Sequence, residues 1–394
     1  MRNPLLVEPL PPKSRPLESL SRAAHLPDSP PVSQDVLVVG AGLVGLSVAW
    51  WLLRRGHRVT LVDPTLNGPP PANGGSWAAL GVLMAQVFHR SSGRGWRLRQ
   101  RSHQLWGEWI AQLEAEGEQV PRRQGLLLLA ADAAELAHQQ RLAATRQAQG
   151  LPLHLWSERQ LQALEPWIPA AAIGGLHSAA DSQVDPRALL AALQASALRH
   201  GLHALPEAAA SLERTGRIGW RVHTSAGNGL EASWLVLSAG LASANLLATV
   251  DQPLALEPVL GQALELELAV APPWSQEDWP GAVVWRGFNL VPRPDLPGGR
   301  RCWLGATLEP GERADADALA RLRRWGDDGP AWLEQARVVR QWQGHRCKPS
   351  QQPAPVLEAP EPGLLVASGH YRNGVLLAPA TAAWVAEQIE AGRR

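Results

Sequence analysis

The stretch Asp35-Val36-Leu37-Val38-Val39-Gly40-Ala41-Gly42-Leu43-Val44-Gly45-Leu46 decides how the chain reads. An apolar run ends in Gly40-x-Gly42-x-x-Gly45 and continues into an amphipathic stretch that reaches Arg54 and Arg55. That order is strand, tight turn, helix. The first glycine permits the turn, the second lets backbone approach a pyrophosphate, and the third lets helix and strand pack closely. Val59 to Val62 supplies the next strand and ends in Asp63, about twenty residues on, where a carboxylate accepts ribose hydroxyls. The complete unit predicts a bound dinucleotide with its phosphates at a helix N-terminus. The pattern alone does not choose between NAD and FAD.

The near-continuous apolar run from Val36 to Leu53 approaches the length of a membrane span. Its glycines at fixed offsets, and the absence of a second such run, argue against that assignment, so no membrane span is expected. The chain has 394 residues, with 37 Lys+Arg against 36 Asp+Glu, so no global field draws it to nucleic acid or anionic lipid. Only Cys302 and Cys347 are present, without the paired spacing of a zinc site, which leaves no disulfide framework, no metal site and a cytoplasmic default. The excess of Trp, 18 against 2 Phe and 1 Tyr, and of Arg over Lys reads as compositional bias.

Residues 1–33 are rich in proline and read as a disordered extension. Downstream, Trp106 to Glu118, Glu135 to Gln149 and Glu158 to Glu165 read as helices, and Gly125 to Ala130 and Gly174 to His177 as short strands. Asp185 and Pro186 form an N-cap and first helical position ahead of a helix from Arg187 to about His200. Ile218 to Thr224 and Glu231 to Ser238 flank an Ala226-Gly227-Asn228-Gly229 turn and read as a hairpin or meander. Val259 to Val270 alternates leucine with Glu265 and Glu267, the mark of a strand wet on one face. Leu364 to Ala367 reads as a strand, followed by a glycine-bearing loop and a helix from Pro379 to about Glu390.

Two small-residue patches suit backbone lying against a large flat cofactor: Asn73 to Val82, which contains Gly75, Ser76, Leu80, Gly81 and Val82, and Ser238-Ala239-Gly240 at a strand end. The run Ser368-Gly369-His370-Tyr371-Arg372-Asn373-Gly374-Val375-Leu376-Leu377-Ala378-Pro379 resembles the C-terminal flavin motif of the D-amino-acid oxidase family of flavoproteins, in its glycine oxidase branch. The resemblance extends from Asp35 to the C-terminus through Ala78 to Gln86, Val184 to Arg187, Leu290 to Arg293 and Gly305 to Thr307.

This resemblance implies an α/β protein of two domains. A Rossmann-like FAD-binding domain is assembled from 34–90, 177–258 and 336–394, and an α+β substrate domain with an antiparallel sheet comes from 91–176 and 259–335. It implies FAD contacts from Gly40, Gly42, Leu43, Val44, Gly45, Asp63, Pro64, the 75–82 patch, Ala209 and Gly240, with His370 to Leu376 (including Asn373, Gly374 and Val375) against the ring. Arg346 matches the family's carboxylate-binding arginine, and Arg372 lies at a second substrate-contacting position. A guanidinium fork holds a carboxylate by two parallel bonds, so these residues would pin a small amino acid with its α-hydrogen toward the flavin.

Phe288-Asn289 stands where glycine oxidases carry a tyrosine that helps hold the substrate; Tyr371 partly replaces that hydroxyl or is structural. Cys347 reads as an inert buried thiol, with covalent flavin attachment as the alternative. The expected activity is oxidative deamination of glycine or a similar small amino acid, with oxygen as acceptor and peroxide as product, feeding thiazole synthesis for thiamine. A broader D-amino-acid or sarcosine oxidase, a dehydrogenase passing electrons to a quinone, and a flavoprotein that serves only as an assembly partner are the alternatives. The family also implies a homo-oligomer.

Overall fold

The computed structural model describes residues 33–392, apart from Pro70 and Glu277. The proline-rich extension expected for 1–33 thus lies outside the described residues except for Ser33. Asp35–Val39 forms the expected strand and Leu43–Arg54 the expected helix, and Arg58–Val62 returns parallel to the first strand with Val39 opposite Val62. The apolar run is buried because it forms the centre of a domain: Val38, Val48, Ala49, Trp50 and Leu52 are wholly inaccessible. Among the described residues no helix is long and apolar enough to cross a membrane.

Around this unit a six-stranded sheet runs Val356–Glu361, Leu364–Ser368, Trp234–Leu237, Asp35–Val39, Arg58–Val62, His203–Leu205. The last five strands are parallel, and Val356–Glu361 is an antiparallel edge. The strands come from widely separated parts of the chain, as a Rossmann-like domain of discontinuous segments requires. A ten-stranded second sheet is antiparallel throughout its long pairings, save one parallel contact between Arg122–Ala130 and Ala282–Trp285. Ala209–Thr215, Gly219–Thr224 and Gly229–Ala232 make a small antiparallel sheet of their own.

Four local readings are corrected. The glycine turn at 226–229 joins Gly219–Thr224 only to Gly229–Ala232; Trp234–Leu237 leaves that hairpin and enters the parallel sheet, where all of its residues but Trp234 are buried. The Gly174 strand runs on to Val184, because Asp181 within it is buried and accepts backbone N–H groups from Ala85, Gln86 and Val87. The strand Leu256–Glu267 is not wet on one face. Glu265 is buried, and its carboxylate meets Arg301 and Arg340 from the two neighbouring strands, so the alternation marks an ion-paired layer.

The fourth correction concerns the last helix, which spans Gly374–Ala391 and carries Pro379 in its interior. Proline there deletes the N–H that Val375 O would accept. The indole of Trp106, on the helix Gly93–Ala115, donates to Val375 O and to Leu376 O at 3.1 Å each, and Ser102 Oγ accepts from Ala380 N. The neighbouring helix thus completes the ladder that the proline interrupts.

That helix, Gly93–Ala115, packs Leu105, Trp106, Trp109, Ile110 and Leu113 into the same core as Leu43–Arg54 and Gly374–Ala391. The tryptophans are core-builders there: Trp109 stacks on Trp51 and meets Trp50 and Trp106 edge-on. A second core under the large sheet gathers Trp274, Trp279, Trp285 and Trp325.

Candidate active site

Between the parallel sheet and the ten-stranded sheet lies a cavity of about 1500 Å³, above the roughly 300–1,000 Å³ of an ordinary small-ligand pocket. The phosphate turn forms one end. Gly40 adopts φ +107°, and a Cβ there would lie 2.5 Å from Ser238 O; Gly45 has Gly40 O at 1.8 Å from its Cβ position. Strand ends and helix therefore meet too closely for any side chain. Asp63 Oδ2 accepts from Ala41 N, and Oδ1 from Thr65 N and Oγ1, so the carboxylate is held beside the turn at the cavity wall.

The segment Gly74 to Leu80 lies along the cavity and is fixed from three sides. Ser76 Oγ accepts from Leu43 N, Arg187 Nε donates to Trp77 O, and Trp342 Nε1 donates to Ala78 O. A Cβ on Gly75 would meet His345 O at 2.7 Å, and one on Gly344 would meet Ala78 Cβ at 2.4 Å. These two glycines bring the strand Arg337–Pro349 directly against the segment.

That strand carries Arg346. It pairs with Leu256–Glu267, placing Arg346 opposite Val259. Arg346 Nη1 donates to Leu260 O and Thr307 O at 3.1 Å each, which fixes the plane of the guanidinium at the cavity wall. Burial, followed by repulsion from Arg372, lowers its pKa below the ordinary arginine value. Two cationic groups thus converge on one part of the cavity, an arrangement suited to an anion. Arg372 itself is exposed.

The C-terminal loop closes the same space. Tyr371 takes φ +54° and donates its N–H to Cys347 O, tying the loop to the Arg346 strand. The helix then starts at Gly374, one turn earlier than Pro379. Its N-cap residue Asn373 makes no capping bond; Asn373 Oδ1 instead accepts from Arg99 Nη2 at 2.8 Å. The first-turn N–H groups, at Gly374, Val375 and Leu376, accordingly remain open on residues that line the cavity. Burial lowers the Arg99 pKa to about 10, so the group stays cationic at neutral pH. His370 is buried, with Nε2 2.9 Å from Thr381 Oγ1; burial, then Arg94, pushes its pKa down to about 4. It is a neutral packing ring.

Of the residues singled out from sequence, Gly40, Gly42, Val44, Asp63, Pro64, Gly75, Ser76, Leu80, Gly81, Val82, Ala209, Gly240, Arg346 and all of His370 to Leu376 line this cavity. Leu43 and Gly45 do not; the first offers its N–H to Ser76 and the second serves close packing. Cys347 lines the cavity, with burial raising its thiol pKa. Phe88, Arg99 and Gly261 also line it and were not read from sequence; Met84 and Thr307, which line it too, belong to the matched stretches but were given no role there. Gly261 arrives through strand register and Thr307 through a loop bonded to Gln262, neither of which a local pattern encodes. Among the described residues no cluster of His, Cys, Asp and Glu could hold a metal ion.

The cavity's volume, the glycine-lined turn, the nearby Asp63 carboxylate and the open helix mouth fit an extended dinucleotide carrying a ring that accepts negative charge. A family model described as FAD dependent oxidoreductase matches residues 35–388. The chain is 30% identical over 364 residues to a glycine oxidase of Geobacillus kaustophilus, covering 90% of this chain and 93% of that one. It is 27% identical to a Nostoc bifunctional protein ThiO/ThiG, covering 91% of this chain and 53% of that longer one. The crystal structure of glycine oxidase from Geobacillus kaustophilus superposes with a TM-score of 0.79 at 28% identity, covering 91% and 95% of the two chains. The chain belongs to the FAD dependent oxidoreductase family, and FAD is its cofactor.

Proposed function

We propose that the chain oxidises glycine, or a similarly small amino acid, to its imine, which water hydrolyses to glyoxylate and ammonium in the case of glycine. FAD, when bound, supplies the acceptor for the hydride leaving Cα, and dioxygen then takes up two electrons and two protons to become hydrogen peroxide. The protein's part is to hold the carboxylate on Arg346 and Arg372, to turn the Cα–H toward the ring, and to favour the neutral amine by burial. One observation carries this reading: the fixed guanidinium of Arg346 sits on a strand packed directly against the Gly74–Leu80 segment and tied to the Tyr371 loop.

The relatives named glycine oxidase support glycine as substrate, and the ThiO/ThiG relatives support a role in supplying thiazole synthesis for thiamine. The family resemblance noted in the sequence suggests a homo-oligomer, and the two unpaired cysteines suit a reducing cytoplasm. The test is peroxide yield under air with glycine, sarcosine and D-alanine, beside anaerobic bleaching of the yellow protein. Bleaching with peroxide establishes an oxidase. Bleaching without peroxide transfers the assignment to a dehydrogenase, and no bleaching with any of the three removes the amino-acid reading.

A further inference from the structure

Gly261 sits in the strand Leu256–Glu267, paired with Gly344 of Arg337–Pro349, two residues along from the Val259–Arg346 pair. In an antiparallel ladder such diagonal neighbours share a face and come within reach of a long side chain. Arg346 uses that reach. A Cβ built on Gly261 would lie 2.4 Å from Arg346 Nη1, 2.5 Å from Nη2 and 2.6 Å from Cζ, with no other group so near. The guanidinium therefore lies flat on the bare backbone of Gly261. Its Nη1 bonds to Leu260 O and Thr307 O hold it down from the two sides.

The glycine is not required by its own backbone, which is in ordinary extended strand rather than at positive φ. The three nearest atoms that a side chain would meet all belong to the far end of Arg346. The Thr307 side of the seat is fixed in turn by a buried network: Thr307 Oγ1 accepts from Gln262 N and donates to Glu309, whose carboxylate also accepts from Gln262 Nε2 and Asp315 N.

We infer that Gly261 is a positioning residue for substrate recognition: its missing side chain is the seat that sets the height and tilt of the Arg346 fork, and with them the affinity for the substrate carboxylate. The inference rests on the reading that Arg346 binds that carboxylate. A misplacement of about 1 Å in a positioning group is enough to cost up to about a hundredfold in rate or affinity. A methyl group at 261 forces a shift of that order, because real Cβ contacts do not fall below 3.0 Å.

The test uses the flavin-loaded enzyme and the variants Gly261→Ala, Arg346→Ala and the double variant. Glycine kinetics, acetate binding followed by perturbation of the flavin absorption band, and melting temperature are measured for each. Gly261→Ala is expected to raise KM and the acetate Kd about tenfold or more while kcat stays within about threefold. In the Arg346→Ala background the same change is expected to add nothing. An unchanged KM and Kd in Gly261→Ala, or an equal penalty in both backgrounds, overturns the inference, since a role in packing alone would persist without the guanidinium.

Should Gly261→Ala be too unstable for kinetics, the double variant must melt higher than the single one, because the collision is removed; an equally unstable double variant also overturns it. If Arg346→Ala itself leaves KM and acetate binding intact, the carboxylate reading fails and takes this inference with it, a result distinguishable from the failure of Gly261→Ala alone.

Discussion

Trp106 supplies the hydrogen bond that Pro379 removes. Its indole N–H lies 3.1 Å from Val375 O, the carbonyl that a residue with an N–H at position 379 would engage. The consequence is structural for the flavin loop, because Val375 belongs to the first turn of the helix whose mouth faces the cavity. Trp106→Phe keeps an aromatic ring, smaller than the indole, and deletes the donor. It is expected to destabilise the protein by at least about 1–3 kcal/mol, the cost of a buried carbonyl left without a partner, with the lost core volume adding to it. Pro379→Ala should recover part of that loss in the Trp106→Phe background and little in the wild type. Melting temperatures of the four proteins in this cycle check the coupling.

Gly40→Ala places a methyl group 2.5 Å from Ser238 O at a residue with φ +107°, so neither backbone can yield without opening the turn. A loss of about 2–5 kcal/mol is expected from strain and overlap together. The protein should also purify with less flavin than the wild type, read from its visible absorption relative to that at 280 nm.

Arg346→Lys preserves the charge and replaces the planar fork by a point charge, which is no conservative change at a bidentate site. Losing one charge-assisted bond, about 1.5–3 kcal/mol, corresponds to a rise in KM of roughly tenfold to a hundredfold. The kcat should change by no more than a few fold if the bond is equally strong in ground and transition states. Steady-state kinetics with glycine decide it.

Acid sensitivity has identifiable sources. For Glu116, burial raises the pKa, but hydrogen bonds from Ser196, His200 and Arg199 outweigh it and bring the value to about 2. For Glu390, burial is outweighed by His57 and Arg55, again giving about 2. Both carboxylates are depressed in the folded state, so each contributes stability that is complete above its unfolded pKa near 4.5 and is lost as pH falls toward 2. Melting temperature should therefore decline between about pH 4.5 and pH 2, less steeply in Glu116→Gln and Glu390→Gln. Equal slopes in all three proteins would remove these two groups as the source.

Much of the cofactor half was legible because its chemistry is local. Gly40, Gly42, Gly45 and Asp63 announce themselves by spacing within one βαβ unit, and Asp185-Pro186 announces its helix by cap and first turn; Asp185 Oδ1 accepts from Arg187 N and Ala188 N. The readings that changed depended on partners far away in sequence. Pro379 reads as a helix start until Trp106 is brought beside it. The Glu265 alternation reads as a wetted face until Arg301 and Arg340 close over it. Gly261 carries no local signal, since its neighbour across the sheet is set by a register that only the folded pairing defines.

The helix at Gly374 begins without a stopper. Asn373 is a residue type well suited to plug its own helix, yet its amide oxygen is engaged by Arg99, a guanidinium from a helix more than 270 positions earlier in the chain. Arg99 is itself buried and lies 3.7 Å from the centre of the Phe88 ring. An arginine of the cavity wall thus occupies the one side chain placed to close the helix, and the anion-accepting funnel stays unblocked.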